Sequence, residues 1–151
     1  MTSEQHRQVL IVDDDPTVRG ILATALRQKS LLTDEAADGA EAIRLIRENT
    51  YSVVLLDILM PGVNGFGVLD AIHSGSAAHV PVVLVVSGAD RSILEQLDSN
   101  RIHGVVKKPF DPQEIASVVA ACAEIRGRSA FETMAMATMI SSAPLIAWLK
   151  L

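Results

Sequence analysis

The 151-residue sequence is poor in aromatic residues, in cysteine and in basic charge. Aromatic residues make up 3% of the chain and hydrophobic residues 49%. The core must therefore consist mainly of Val, Ile, Leu and Ala, which favours parallel strands covered by helices over an aromatic-rich β-sandwich. The single cysteine, Cys122, excludes an internal disulfide and suits a reducing compartment. The net charge of −5 argues against a nucleic-acid surface, which needs clustered Lys and Arg.

The polar N-terminus carries no signal-peptide pattern, so the sequence predicts a cytoplasmic α/β domain. Short β-branched runs alternate with segments of helical spacing, and this strict alternation predicts right-handed crossovers and a parallel sheet. Strands are expected at Val9–Val12, Leu32–Ala36, Ser52–Leu56, Pro81–Val86 and Gly104–Val106. Helices are expected after Asp15-Pro16, after Asp38-Gly39, from Gly65, around Ser92–Asn100, and from the capping box at Asp111 to about Gly127.

The first predicted helix carries an apolar stripe at a spacing of three and four residues. Its members are Val18, Ile21, Leu22, Ala25 and Leu26. We expect this stripe to face the sheet.

Polar residues follow four of the five predicted strands, at the edge where ligands gather in parallel sheets. They are Asp13, Asp14 and Asp15 after the first strand, Asp57 after the third, Ser87 after the fourth, and Lys107 and Lys108 after the fifth. Converging carboxylates raise one another's pKa, and a hard cation such as Mg²⁺ resolves that conflict. With Ser87 as a hydroxyl donor, Lys108 as a positive charge and Asp57 as an acceptor, the set predicts a site for phosphoryl chemistry.

Four segments that carry these residues resemble the receiver domains of bacterial two-component response regulators, in order and at suitable spacing. They are Val9-Leu-Ile-Val-Asp-Asp-Asp-Pro16, Leu55-Leu-Asp-Ile-Leu-Met-Pro-Gly62, Val85-Val-Ser-Gly88 and Lys107-Lys-Pro-Phe110. The resemblance covers about residues 7–126. It implies a five-stranded, doubly wound, flavodoxin-like (βα)5 sheet with strand order 2-1-3-4-5, followed by an extra C-terminal helical segment.

The resemblance also implies a role for each site residue. Asp57 would accept a phosphoryl group from a histidine kinase or phosphotransfer protein, and Ser87 and Lys108 would contact that group. Mg²⁺ would be held by Asp13, Asp14, Asp57 and the backbone carbonyl of Leu59. The Lys108–Pro109 peptide would be cis. The chain would then be a signalling switch that promotes its own modification, and not a turnover enzyme.

The sequence departs from the family pattern at three positions. Many receivers carry Tyr or Phe three residues before the active-site lysine, where this chain has Val105. Coupling of Ser87 to a distant binding face through an aromatic swing is therefore in question. Leu59 and Ala89, two residues beyond Asp57 and Ser87, have no side-chain group that orients an attacking water, which predicts slow self-dephosphorylation.

Residues 127–151 form an apolar C-terminal extension outside the resemblance. A second capping box, Ser129-x-x-Glu132, precedes an uncharged run from Thr133 to Leu149 that contains Pro144. We expect an extra helix that docks on the domain or on a partner, such as a second copy in a homodimer; membrane contact and disorder are the alternatives. No DNA-binding output domain is expected in so short a segment, and the output partner would be another protein.

Two other readings of the sequence remain open. Asp13-x-Asp15-x-Thr17 also resembles the first motif of haloacid-dehalogenase-type phosphatases, in which Asp13 would be the nucleophile. Alternatively, the chain is a receiver-shaped binding module that takes no phosphate. Asp15 is also a candidate helix N-cap, and Cys122 a helix packing residue.

Overall fold

A computed structural model of the chain describes residues 8–75 and 80–125. In that part, five parallel strands form one sheet in the order β2-β1-β3-β4-β5, as predicted. The strands are β1 (Gln8–Val12), β2 (Leu32–Ala36), β3 (Val53–Leu56), β4 (Val82–Ser87) and β5 (Gly104–Lys107). Their registers, such as Val12 beside Leu56 and Leu56 beside Val85, bring the carboxyl ends of the strands to one edge.

The three central strands are buried on both faces, because helices cover each side of the sheet. Every residue of β3 and β4 is buried, as the continuous apolar runs predict. One face packs against α1 (Pro16–Gln28) and α5 (Pro112–Ile125), and Cys122 of α5 is fully buried there, as expected for a packing residue. The other face packs against α2 (Gly39–Glu48) and α3 (Gly65–Ser74).

Short polar side chains begin the helices at the predicted places. Asp15 Oδ1 accepts a hydrogen bond from the Thr17 amide at 2.8 Å, and Asp38 Oδ1 accepts one from the Glu41 amide at 2.8 Å. These bonds satisfy amides that have no partner within the helix. Asp15 is therefore an N-cap, and Pro16 follows it at the first helical position.

The fourth helix is much shorter than the predicted Ser92–Asn100. The helix α4 spans only Arg91–Leu94, and the chain then turns to Asn100. After Glu95 the backbone bonds join residues three apart, from Gln96 to Ile93 and from Leu97 to Leu94. The Asp98 carboxylate then accepts the Asn100 amide, an alternative to helical pairing that short polar side chains favour.

The apolar stripe of α1 is only partly directed at the sheet. Leu22, Ala25 and Leu26 are buried, but the side chain of Ile21 is 45% exposed. The expectation for Ile21 was wrong because its position on the helix faces away from the sheet. Among the described helices, none is long and apolar enough to cross a membrane.

The predicted extension, residues 127–151, lies outside the described residues, as do His6 and His79. Of the other two histidines, His73 lies in α3 and His103 lies in the bend before β5, and both are partly buried. His73 Nε2 lies 2.9 Å from the Arg101 carbonyl oxygen, and His103 Nδ1 accepts a hydrogen bond from the Val83 amide at 3.0 Å.

Candidate functional site

The carboxyl edge of the sheet brings together four polar side chains that are distant in sequence. Asp13 follows β1, Asp57 follows β3, Ser87 ends β4, and Lys108 follows β5. Asp13, Asp57 and Ser87 are buried, at 2%, 5% and 0% exposure. Burial of charged residues is costly unless they are paired, so their convergence indicates a site built for chemistry.

Asp57 is held from several directions. Its Oδ1 accepts hydrogen bonds from the Ser87 hydroxyl at 3.1 Å and from the Leu59 amide at 3.2 Å. Its Oδ2 lies 3.3 Å from Lys108 Nζ. The Ser87 hydroxyl in turn accepts the Ala89 amide at 3.2 Å, which orients it. A positive charge and a hydroxyl donor therefore lie against opposite oxygens of one carboxylate.

Asp13 is fixed by its own contacts. Its Oδ2 pairs with Lys108 Nζ at 2.6 Å, and its Oδ1 accepts the Asp15 amide at 2.9 Å. Arg19 Nη1 donates to the Asp13 backbone carbonyl at 2.7 Å, and Arg19 Nε lies 3.5 Å from Glu35 Oε1. Sequence reasoning missed Arg19; the only available signal was a basic residue one turn into the helix that follows the acidic pair.

Asp13, Asp14 and Asp57 form a cluster that fits a divalent cation. One oxygen of each lies within 4.8 Å of the others, and Asp14 is exposed to solvent. Ligands on opposite sides of Mg²⁺ lie about 4.2 Å apart, because each Mg–O distance is about 2.1 Å. A small contraction therefore brings these oxygens to ligand distance, and the exposed side leaves room for the waters that Mg²⁺ keeps. Leu59, whose backbone carbonyl was predicted as a further ligand, donates its amide to Asp57 at the same site.

The pocket holds three carboxylates and one lysine, so negative charge is in excess. Burial raises the pKa of Asp57, and the charge of Asp13 raises it further, while the charge of Lys108 opposes the change. Burial alone would lower the pKa of Lys108, but its hydrogen bond to Asp13 and the charge of Asp57 outweigh burial and raise it. Lys108 is therefore a fixed cation among three carboxylates, and a divalent cation would offset the excess negative charge.

The side chains of Asp15, Lys107 and Val105 lie outside this cluster. Asp15 caps α1, and Lys107 is exposed, as expected. Val105 is buried at 2% exposure in the hydrophobic cluster that also contains Ala89 and Leu94. The Lys108–Pro109 peptide is cis, as predicted.

Comparison with known protein families matches the model described as "Response regulator receiver domain" to residues 9–120. The chain is 34% identical over 117 residues to the DNA-binding response regulator MtrA of Mycolicibacterium smegmatis, which covers 77% of this chain and 50% of that protein. It is 33% identical over 137 residues to the probable transcriptional regulator ycf27 of Guillardia theta, which covers 86% of this chain and 50% of that protein. The chain thus spans about half the length of the curated relatives that it matches.

Solved structures show the same likeness. The receiver domain of the Francisella response regulator 1452 superposes with a TM-score of 0.70 at 27% identity, covering 81% of this chain and 99% of that one. The response regulator TrrA of Thermotoga maritima, solved in complex with Mg²⁺ and BeF, superposes with a TM-score of 0.68 at 27% identity. The match covers 77% of this chain and 98% of that one.

Proposed function

The chain belongs to the response regulator receiver domain family, and we propose that it is a phosphorylation switch in which Asp57 accepts the phosphoryl group. The observation that carries the proposal is the environment of the Asp57 carboxylate. One of its oxygens faces Lys108 Nζ and the other accepts the Ser87 hydroxyl, beside two further carboxylates. This arrangement supplies an acceptor oxygen, a counter-charge and a hydrogen-bond donor for a transferred phosphoryl group.

The proposed phosphodonor is a histidine kinase or a histidine phosphotransfer protein. An Asp57 carboxylate oxygen attacks phosphorus, a new O–P bond forms, and the P–N bond of the donor phosphohistidine breaks. The electron pair of that bond leaves with the imidazole, which takes up a proton. Lys108 stays cationic during this step because Asp13 and Asp57 stabilise its charge.

Mg²⁺ is the proposed cofactor, held by Asp13, Asp14, Asp57 and the backbone carbonyl of Leu59. When bound, it neutralises carboxylate charge and the charge that develops on the phosphoryl oxygens. Arg19 positions Asp13 through its bond to the Asp13 carbonyl, and the Asp15 amide orients the Asp13 side chain.

Phosphorylation would act through a local change of charge. The new group adds about 1.5 to 2 negative charges and three acceptor oxygens at Asp57. Ser87 and Lys108 already contact that carboxylate, so they are placed to bond the new oxygens and bias a two-state equilibrium at a distant surface.

The proposed receiver domain covers residues 7–126, and residues 127–151 form a separate extension. Since the chain has a net charge of −5, we propose that its output partner is a protein rather than DNA, and that it acts in the cytoplasm as a switch without turnover of a substrate.

Intact-protein mass spectrometry after incubation with a small phosphodonor, with and without Mg²⁺, tests the phosphoacceptor. We expect a Mg²⁺-dependent gain of one phosphoryl group that Asp57→Asn abolishes and Asp90→Asn retains. Asp90 is a matched control because it is exposed and its side chain makes no cap bond. No gain under any condition would favour a binding module that takes no phosphate. A gain that survives Asp57→Asn and is lost in Asp13→Asn would identify the dehalogenase-like nucleophile instead.

A further inference from the structure

A surface groove of about 530 Å³ lies between α1 and the start of α5. Gly20, Ile21, Thr24 and Ala25 line it from α1, and Pro112 and Gln113 line it from α5. None of the lining side chains is charged, although 21% of the chain is Asp, Glu, Lys or Arg. The groove therefore favours an occupant without charge.

Ile21 is the main apolar contact that this groove offers. Its side chain is 45% exposed, whereas Leu22 and Leu26 of the same helix are buried. Among the described residues, the other exposed large apolar side chains are Leu32, Leu59 and Val63, and none of them lines this groove. The described residues leave Ile21 uncovered, so its side chain can contact an apolar segment at this groove.

Gly20 keeps the groove open beside Ile21. A glycine inside a helix weakens it, and a Cβ added at Gly20 would meet nothing within 4 Å. The described fold therefore does not need glycine at this position. The missing side chain keeps the backbone of α1 accessible beside Ile21.

Two polar side chains of the groove are already hydrogen-bonded within the domain. The Thr24 hydroxyl donates to the Gly20 carbonyl at 2.8 Å, and Gln113 Nε2 donates to Gln28 Oε1 at 3.0 Å. An occupant needs few hydrogen-bonding groups of its own, which fits an apolar segment better than a polar one.

The C-terminal extension of this chain has the matching chemistry and reach. Residues 133–149 carry no charged side chain and include Met139, Ile140, Leu145 and Trp148. From Ile125 back to Pro112 is about 20 Å along α5, and residues 133–149 alone span about 26 Å even at the short rise of a helix. Tethering to α5 also gives the segment a high effective concentration at the groove.

We propose that residues 133–149 bind in the groove between α1 and α5 and cover Ile21. The occupant is the chain's own extension, in an intramolecular contact. Pro16, which lines the groove, directly follows the Asp13–Asp15 segment, so this end of the groove lies beside the phosphoacceptor pocket.

Trp148 is the only tryptophan of the chain and reports on the contact directly. In the 151-residue protein we expect blue-shifted Trp148 emission and acrylamide quenching several-fold weaker than that of a free tryptophan amide. Ile21→Glu should raise the quenching constant several-fold and shift the emission to the red. Leu32→Glu is the matched control, because Leu32 is 59% exposed on the edge strand β2 and does not line the groove.

A second variant separates loss of binding from loss of folding. Gly20→Gln places a side chain in open space and improves helix propensity, so it should raise Trp148 quenching while increasing the thermal stability of the domain. Solvent-like Trp148 emission in the unaltered protein would overturn the proposal, as would equal quenching in the Ile21 and Leu32 variants. Protection of Trp148 that disappears on dilution would assign the contact to a second copy. Protection that appears only when a phosphodonor protein is added would assign the groove to that protein.

Discussion

Asp57 is a buried carboxylate whose ionised form is stabilised less by the folded domain than by water. Lys108, Ser87 and the Leu59 amide all favour the charged form, yet burial and the neighbouring Asp13 outweigh them and raise the pKa. The folded protein therefore binds the Asp57 proton more tightly than the unfolded chain does. The carboxylate that is best placed to react is also one that weakens the metal-free domain at neutral pH.

Because the folded domain raises the pKa of Asp57, we predict that Asp57→Asn raises the free energy of unfolding at pH 7 in the presence of a chelator. The stability that a protonated Asp57 contributes is present below its ordinary pKa of 3.8 and is lost as the pH rises through the raised folded value. The gain from Asn should therefore shrink toward pH 3.8. Urea unfolding across this range checks it, with Asp90→Asn as the control. An Asn variant less stable than the unaltered protein at pH 7 would contradict the prediction.

Leu59 and Ala89 surround the phosphoacceptor with side chains that cannot position water. Leu59 is 49% exposed at the mouth of the site, and Ala89 is buried. We expect the acyl phosphate to persist for minutes or longer, because no side-chain amide or carboxylate at these two positions orients an attacking water. Decay of phospho-Asp57 followed by mass spectrometry measures this.

Leu59→Asn should shorten that lifetime several-fold by adding a group that can bond water. Val63→Asn is the matched control, since Val63 is an apolar residue of the same loop with 40% exposure. A lifetime of seconds in the unaltered protein would show that water is oriented by another group.

Secondary-structure elements hold the site through close backbone contacts as well as side chains. The first residue of α3, Gly65, donates its amide to the Ile58 carbonyl at 3.0 Å. A Cβ at Gly65 would lie 2.6 Å from the Asp57 carbonyl oxygen and 2.6 Å from Ile58 Cα. The first residue of α3 is therefore in close contact with the backbone of Asp57 and Ile58.

Gly65→Ala should destabilise the domain by about 1–3 kcal/mol and slow phosphorylation of Asp57, because backbone atoms must move to admit the methyl group. Gly67→Ala in the same helix is the matched control, since its Cβ would meet only the end of the Val63 side chain. Denaturant unfolding and the phosphorylation rate check both. Equal effects of the two substitutions would show that the contact at Gly65 does not matter.

The strands and most of the site could be predicted from the sequence because each depends on a local signal. Apolar β-branched runs located the strands to within about one residue, and polar residues directly after them located Asp13, Asp57, Ser87 and Lys108. The end of α4 depends on whether backbone amides bond to helical carbonyls or to short polar side chains such as Asp98. The spacing of apolar residues carries no information about that choice. The contact of Arg19 with the Asp13 carbonyl depends on how α1 crosses the sheet, and only the structure defines it.

Two further ionisable side chains, the Cys122 thiol and the Tyr51 hydroxyl, are buried outside the phosphoacceptor site. Cys122 is buried in α5, which raises its pKa from 9.0 to about 12. Burial also raises the pKa of Tyr51, whose hydroxyl donates to Asp34 at 2.7 Å and lies near the amino ends of the strands. Both groups stay protonated in the folded protein at a pH at which they ionise in the unfolded chain.

Alkaline solution should therefore destabilise the domain. The contribution of each acid is present below its unfolded pKa, 9.0 for Cys122 and 10.0 for Tyr51, and is lost as the pH rises from there toward the folded value. Cys122 alone accounts for about 1 kcal/mol per pH unit. Unfolding measured between pH 8 and pH 11, a range set by these pKa values, should show this slope. Cys122→Ala and Tyr51→Phe should each flatten it. A slope that neither substitution changes would assign the effect to other groups.

Because α4 is short, residues 91–100 contain few helical hydrogen bonds. Only Arg91–Leu94 are helical, whereas the following Arg101 is anchored to α3 through Asp70 at 2.8 Å and through the Leu69 carbonyl. Leu94 and Leu97 pack in the hydrophobic core, but the backbone hydrogen bonds of residues 91–100 are all local, so we expect this segment to open before the sheet does. The amide protons of this segment should exchange with solvent at least about 1000-fold faster than those of Val105 and Val106, which need global opening. A protein that binds this segment would then bring it to order on contact, and its affinity would depend on how far the segment is already folded.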